Sequence, residues 1–172
     1  MAAAPRAGVG LETFNGWARD QAVALTRPCL DVDRWVAEVV DGRPYADHTV
    51  LLDTARQAAA PLTTEEIEAA LAHHPRIGQS AVGTSREAQL SHAEQSGLQV
   101  DDDLDQRLRQ GNADYERRFG RIFLIRAAGR SGPEILAELE SRLGHDDTTE
   151  DRVVGEQLAQ IAVLRLSNLV VP

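Results

Sequence analysis

Residues 62–78 read LTTEEIEAALAHHPRIG, and this run carries a helix's start signal, its apolar face and its stop signal. Thr63 followed three residues later by Glu66 is a capping box: the hydroxyl accepts from the Glu66 amide and the carboxylate reaches back to the Thr63 amide. Ile67, Ala70 and Leu71 then fall on one helical face. Pro75 ends the pattern, because a proline pushes the residue before it out of the α region. That residue is His74. The stretch predicts a short amphipathic helix closing on a polar turn that carries a histidine.

The same period extends outward in both directions. Toward the N-terminus, Asp47 can cap a helix that turns Leu51, Leu52, Ala55 and Ala59 inward. Asp31 can cap one that carries Trp35, Val36, Val39 and Val40, and residues 13–25 place Phe14, Trp17, Ala18 and Gln21 at helical spacing. Toward the C-terminus, a glycine-bearing turn spans Gly78 to Gly83. Thr84 and Glu87 then repeat the capping box and open a helix to about Gly97. The acidic DDDLD at 101–105 suits the positive N-terminal end of the next helix, whose stripe of Leu104, Leu108, Tyr115 and Phe119 runs to Gly120. RIFLIRAA at 121–128 has strand composition but is too short and isolated to define a sheet. Two more helices fit 133–143, after Ser131, and 149–168. No repeat or long linker divides the chain. The expected fold is all-α, a single compact multi-helix domain over 11–172 preceded by a flexible N-terminal extension over 1–10.

Composition narrows the function classes. Of 172 residues, 42% are hydrophobic and 26% charged, values usual for a soluble globular protein, and 27 acidic against 18 basic residues give a net charge of −9. That charge argues against nucleic acid or an anionic membrane as partner, since phosphates attract basic surfaces. Cys29 is the single cysteine, which excludes an internal disulfide and a thiolate-rich metal site. The opening MAAAPRAGVG lacks the apolar core of a signal peptide, no run approaches a membrane span, and the terminal VVP is no address signal, so a cytoplasmic setting is expected.

Three features resist a purely structural reading. His74 is held extended at a helix end, where it can handle a proton; a histidine favoured there by the helix dipole accounts for it as well. In SHAEQSGL at 91–98, Ser91, Glu94 and Gln95 stand at i, i+3 and i+4 and share a face. That face can be solvated, but the helix has no strong apolar stripe of its own, so the polar face is a candidate for turning inward. In the last helix Val154, Leu158 and Ile161 form the apolar stripe, and the position that completes it is Arg165. A guanidinium there either snorkels out at the helix end or meets an anion, a carboxylate for instance, through two parallel hydrogen bonds.

These groups amount to a histidine, a carboxylate, an amide, a hydroxyl and an arginine. The chain has no HExxH, no P-loop, no GxGxxG and no serine-hydrolase order. A zinc site from His73, His74 and His92 matches no common ligand spacing. The set suits acid–base work on a small carboxylate without metal or organic cofactor.

HHPRIG, SHAEQSGL, NADYERRFG and the late IAVLRL, in this order and spacing, resemble the 2-oxo-4-hydroxy-4-carboxy-5-ureidoimidazoline (OHCU) decarboxylases. The resemblance runs from FNGW near residue 14 through RWVAEVVDGRPYA to Leu166. It implies an all-α homodimer that uses no cofactor and converts OHCU, a ureidoimidazoline, to (S)-allantoin and CO2, the last step of urate degradation to allantoin. Carried over motif by motif, it implies His74, Glu94 and Arg165 as catalytic residues. Pro75, Ser91, Glu94, Gln95 and Arg165 would bind substrate, together with the segment Phe123, Leu124, Ile125, Arg126 and Ala127. No metal ligand is implied, and His73 and His92 are not expected to be essential. The tail of peroxisomal relatives is not found in this sequence. Two other classes compete: a helical binding module that has lost the chemistry, which would be expected to have lost His74, Glu94 or Arg165, and a metal-dependent ureide hydrolase, which predicts metal dependence.

Overall fold

The helix read from residues 62–78 forms as its signals dictate. In the computed structural model, which describes residues 8–78 and 86–172, it is α5, Thr64–Leu71. Thr63 Oγ1 accepts from the Glu66 amide at 3.2 Å and Glu66 Oε2 accepts from the Thr63 amide at 2.9 Å. A cap of this kind stabilises by about 0.5–2 kcal/mol. The helix stops at Leu71, short of Pro75. Its last amides, His73 and His74, bond to the carbonyls three residues back, Ala70 and Leu71, which tightens the end into a 3₁₀ turn.

The other elements in chain order are β1 (Val9–Gly10), α1 (Leu11–Gly16), α2 (Arg19–Thr26), α3 (Asp33–Asp41), α4 (His48–Ala58), α6 (Arg86–Gln95), α7 (Asp102–Phe119), α8 (Gly132–Arg142), α9 (Asp147–Leu169) and β2 (Val170–Val171). A 3₁₀ turn, Arg27–Cys29, follows α2. The fold is all-α; among the described residues the single sheet is the parallel pair β1–β2, with Val9 opposite Val170 and Gly10 opposite Val171. No described helix is long and apolar enough to cross a membrane.

Two compact units make up the structure, Met1–Ala60 with Ala159–Pro172, and Pro61–Leu158. In the first, Trp35, Phe14, Val39 and Leu51 are wholly buried. The indole N–H of Trp35 donates to the Ala55 carbonyl at 2.8 Å, so a core ring also ties α3 to α4. In the second, Leu108, Tyr115, Phe123, Ile135 and Leu139 form the core. α7 and α8 approach closely because Gly111 has no side chain: a Cβ there would lie 2.5 Å from Leu139 Cδ2.

Several sequence expectations change. The helix over 13–25 is broken at Trp17, because the Arg43 guanidinium takes the Phe14 and Trp17 carbonyls at 2.7 and 3.0 Å, where the helix would have continued. Asp31 does not cap α3. It accepts from Arg27 at 2.6 Å, and the N-cap is Val32 with no side-chain bond. RIFLIRAA, by contrast, defines no sheet, as its short and isolated run implied. Of the extension expected over 1–10, residues 1–7 lie outside the described residues, while Val9 and Gly10 pair with β2. Thr84 and most of the Gly78–Gly83 turn also lie outside them.

Candidate active site

His74 is half-buried, three residues past α5, and beyond Pro75 the chain is gripped at Arg76, Ile77 and Gly78 in turn. The Arg76 guanidinium makes a two-point ion pair with Glu116 on α7, its Nη2 2.9 Å from Oε2. That pairing holds the Glu116 carboxyl below its ordinary range and the Arg76 guanidinium above its own. The Ile77 carbonyl accepts from Asn112 Nδ2 at 3.2 Å, also from α7, while the Ile77 side chain enters the core. The Gly78 amide donates to Gln95 Oε1 at 3.2 Å, from α6.

α6 turns its polar face inward. Ser91 is 2% exposed and Ala88 9%, and Glu94 and Gln95 are half-buried beside them. A buried serine on a helix with so few apolar residues means that α6 is packed through its hydrogen-bonding groups. Gln95 thus joins the SHAEQSGL helix to the HHPRIG segment.

The segment Phe123–Ala127 lies outside helix and strand, with Phe123, Leu124, Ile125 and Ala127 buried and Arg126 half-buried. Two of its peptide groups are pinned by side chains. Arg142 Nη1 donates to the Leu124 carbonyl at 2.8 Å, and the Arg126 amide donates to Gln157 Oε1 at 2.9 Å. Arg142 is itself fixed by Glu150, with Nε and Nη2 at 2.9 and 2.6 Å from Oε1. The Tyr115 hydroxyl donates to the same oxygen, and His145 Nδ1 lies 2.9 Å from Oε2. Burial, reinforced by the neighbouring carboxylate, pushes the Tyr115 phenol far above its ordinary value, so it stays a donor.

Arg165 lies in the part of α9 that belongs to the first unit, 3% exposed, with Nη1 donating to the Pro28 carbonyl at 3.0 Å. The guanidinium is buried, not snorkelled. His74, Ser91, Glu94, Gln95 and Phe123–Ala127 all belong to the second unit. Among the described residues no group of three or more His, Cys, Asp or Glu is arranged to hold a metal ion.

Asn112, Arg142, Glu150 and Gln157 also hold the site, and none is among the candidate residues that the sequence marks. Gln157 was detectable, since it interrupts the Val154–Leu158–Ile161 stripe much as Arg165 does. Asn112 sits with Gly111 in the middle of the gap between Leu108 and Tyr115, an inward position filled by a polar group. Arg142 and Glu150 gave no local signal.

A family model described as OHCU decarboxylase matches residues 15–167, spanning both units. The chain belongs to the OHCU decarboxylase family. It is by family a decarboxylase. A 2-oxo-4-hydroxy-4-carboxy-5-ureidoimidazoline decarboxylase of Haloferax volcanii is 29% identical over 164 residues, covering 91% of this chain and 94% of that protein. The enzyme of the same name from Amia calva is 30% identical over 137 residues, 78% of each. The fold matches an OHCU decarboxylase solved in the presence of (S)-allantoin, with TM-score 0.66, 22% identity, and coverage of 85% of this chain and 96% of that one. It also matches an (S)-allantoin synthase, with TM-score 0.67, 17% identity, and coverage of 95% and 54%.

Proposed function

We propose that the chain decarboxylates 2-oxo-4-hydroxy-4-carboxy-5-ureidoimidazoline to (S)-allantoin and CO2, with no cofactor, as the last step of urate degradation to allantoin. Beside family membership, the observation that supports this most directly is the bond from the Gly78 amide to Gln95, which joins the histidine-bearing segment to the inward polar face of α6.

The chemistry needs little beyond orientation and charge placement. The substrate carries its carboxylate and a hydroxyl on one ring carbon, beside a ring C=N bond. When the bond to the carboxylate breaks, its electron pair forms a C=C bond to the neighbouring carbon, and the C=N pair moves to nitrogen, which takes a proton. The resulting enol releases its hydroxyl proton, and the carbon bearing the ureido group is protonated on one face to give the S product. The substrate itself supplies the electron sink, so the protein contributes positioning and proton handling. In this reading Arg165 holds the carboxylate by two parallel hydrogen bonds. His74 with Glu94 manages the hydroxyl proton. Ser91 and Gln95 meet the ureido and ring amide groups, Gln95 through its amide nitrogen because its oxygen is engaged by Gly78, and Pro75 shapes the wall beside His74. Within Phe123–Ala127 the Leu124 carbonyl, the Arg126 amide and the Ala127 carbonyl are already engaged, and the segment's other peptide groups are the ones assigned to the ligand. The family resemblance also supports homodimeric assembly, and the single cysteine, Cys29, suits a reducing, cytoplasmic setting.

The test generates the unstable substrate in place from urate, with urate oxidase and hydroxyisourate hydrolase, and follows the circular dichroism of allantoin. Spontaneous decay gives a racemate. Rapid appearance of one enantiomer, undiminished by exhaustive EDTA dialysis, is expected. Racemic product at the uncatalysed rate overturns the reading, and activity that returns only with added zinc overturns its cofactor-free form.

A further inference from the structure

The Ile77 carbonyl and the Gly78 amide are the two ends of one peptide unit, and they point to opposite sides of it. Asn112 Nδ2 on α7 donates to the carbonyl and Gln95 Oε1 on α6 accepts from the amide, each at 3.2 Å. Two carboxamides from two helices therefore hold a single peptide plane by its two opposite edges. A peptide in a turn has two orientations related by a flip of the plane, which exchanges the sign of φ at the following residue. Here that residue is Gly78, with φ of +82°, a value that L side chains rarely adopt. The orientation that is held is thus the one that needs a glycine.

We propose that Asn112 and Gln95 are positioning residues that lock the Ile77–Gly78 peptide in one of its two orientations and so fix the segment carrying His74. Neighbouring contacts make the segment stiff enough to transmit the lock. The Ile77 side chain is anchored in the core and Arg76 is clamped to Glu116, so the peptide plane is the remaining freedom among residues 76–78. The oxygen of Gln95 has a structural duty, whatever its amide nitrogen does. The consequence for catalysis rests on the reading of His74 as the proton-handling group.

The two carboxamides have opposite duties, which makes isosteric charge changes diagnostic. Gln95→Glu keeps an acceptor against the Gly78 amide. Asn112→Asp sets an acceptor against the Ile77 carbonyl and breaks its half of the lock. Each adds one negative charge, and because Asn112 is buried while Gln95 is half-buried, the uncharged change Gly78→Ala is measured beside them to separate the lock from the cost of a buried charge. Hydrogen exchange at the Gly78 amide, read by NMR in the full chain, is expected to quicken about fivefold in Gln95→Ala, the worth of one ordinary hydrogen bond, and in Asn112→Asp, but not in Gln95→Glu. Asn112→Asp is expected to lower kcat about tenfold with KM within about twofold, the signature of a misplaced catalytic group and not of lost ground-state binding. Should Asn112→Asp fail to fold, Gly78→Ala tests the same peptide from within. Among the described residues a Cβ at Gly78 meets nothing within 4 Å, so its expected effect is on the backbone orientation that its φ of +82° requires, and a similar loss of kcat is expected. Full kcat in either variant, or equal Gly78 exchange in Gln95→Glu and Asn112→Asp, overturns the lock. A wild-type chain without decarboxylase activity overturns the functional reading instead, and the exchange result then stands on its own.

Discussion

Arg142 and Glu150 are both fully buried, their charged groups 2.6 Å apart, and each has further partners: Arg142 holds the Leu124 carbonyl, and Glu150 receives Tyr115 and contacts His145. A buried pair adds little over an apolar pair of the same shape, but removing one partner strands the other charge and costs about 3–5 kcal/mol. Glu150→Ala is therefore expected to lower unfolding free energy by about that amount. Urea denaturation of the variant checks this, and a loss below about 1 kcal/mol, the range of exposed pairs, means that the charge is not stranded. Arg142→Met releases the Leu124 carbonyl as well, so its activity should fall even where the chain remains folded.

His74→Ala is expected to remove nearly all the enantioselective rate while leaving the urea midpoint close to wild type, since His74 is half-buried and outside the helix. His73→Ala, one residue back and exposed, should retain most of the rate. Equal losses in the two variants would take the proton-handling role away from His74.

Arg165→Lys is expected to bind substrate almost as poorly as Arg165→Ala, because an ammonium keeps the charge but not the planar fork that meets a carboxylate twice. Stability must be read beside it. Arg165 Nη1 donates to the buried Pro28 carbonyl, and Arg165→Met leaves that acceptor without its donor, at about 1–3 kcal/mol. If Arg165→Met is as stable as wild type, the Pro28 bond contributes nothing. If Arg165→Lys retains most of kcat/KM, the carboxylate is held elsewhere.

The Arg76–Glu116 pair should leave a trace in acid. Arg76 holds the folded-state carboxyl of Glu116 below its unfolded value. The stabilisation is therefore fully present above the unfolded value, near pH 4.3, and is lost as pH falls through the folded one. Both side chains are partly exposed, 45% for Arg76 and 29% for Glu116, which limits the pair to about 1 kcal/mol at most. Glu116→Gln should be less stable than wild type at pH 7, and the gap should close toward pH 3; thermal midpoints across that range show whether it does.

Local chemistry made most of the helices legible. Thr63 with Glu66, Asp47, Asp101 and Gly120 end or begin helices through contacts within four residues, and each acts as its residue type suggests. The inward turn of α6 was legible for a related reason: a short helix without an apolar stripe must pack through Ser91 and its neighbours. What escaped was set at long range. The break at Trp17 depends on Arg43, and the β1–β2 pair has too few residues to show a period. Arg27 at i−4 competes for Asp31, an ambiguity no pattern resolves. Arg142 and Glu150 look like surface residues in sequence until Tyr115 and Leu124 are brought to them. The candidate site divides in the same way, with His74, Ser91, Glu94, Gln95 and Arg165 marked by their own helices and Asn112 and Gln157 marked by what they hold.

The two units differ in how the chain supplies them, and that bears on the order of synthesis. Pro61–Leu158 is one unbroken stretch, so every residue of that unit is made before the last part of α9. The other unit needs Ala159–Pro172 to join residues made near the start, and its Val9–Val170 pairing closes a loop of about 160 residues, a contact of the most expensive kind to form early. On the ribosome the middle of the chain can fold first, while α1 to α4 wait for a strand that has not yet been translated. During that interval the residues around Phe14 and Trp35 have their local helix partners but lack the final segment of their unit, so the N-terminal region is the part whose burial is completed last.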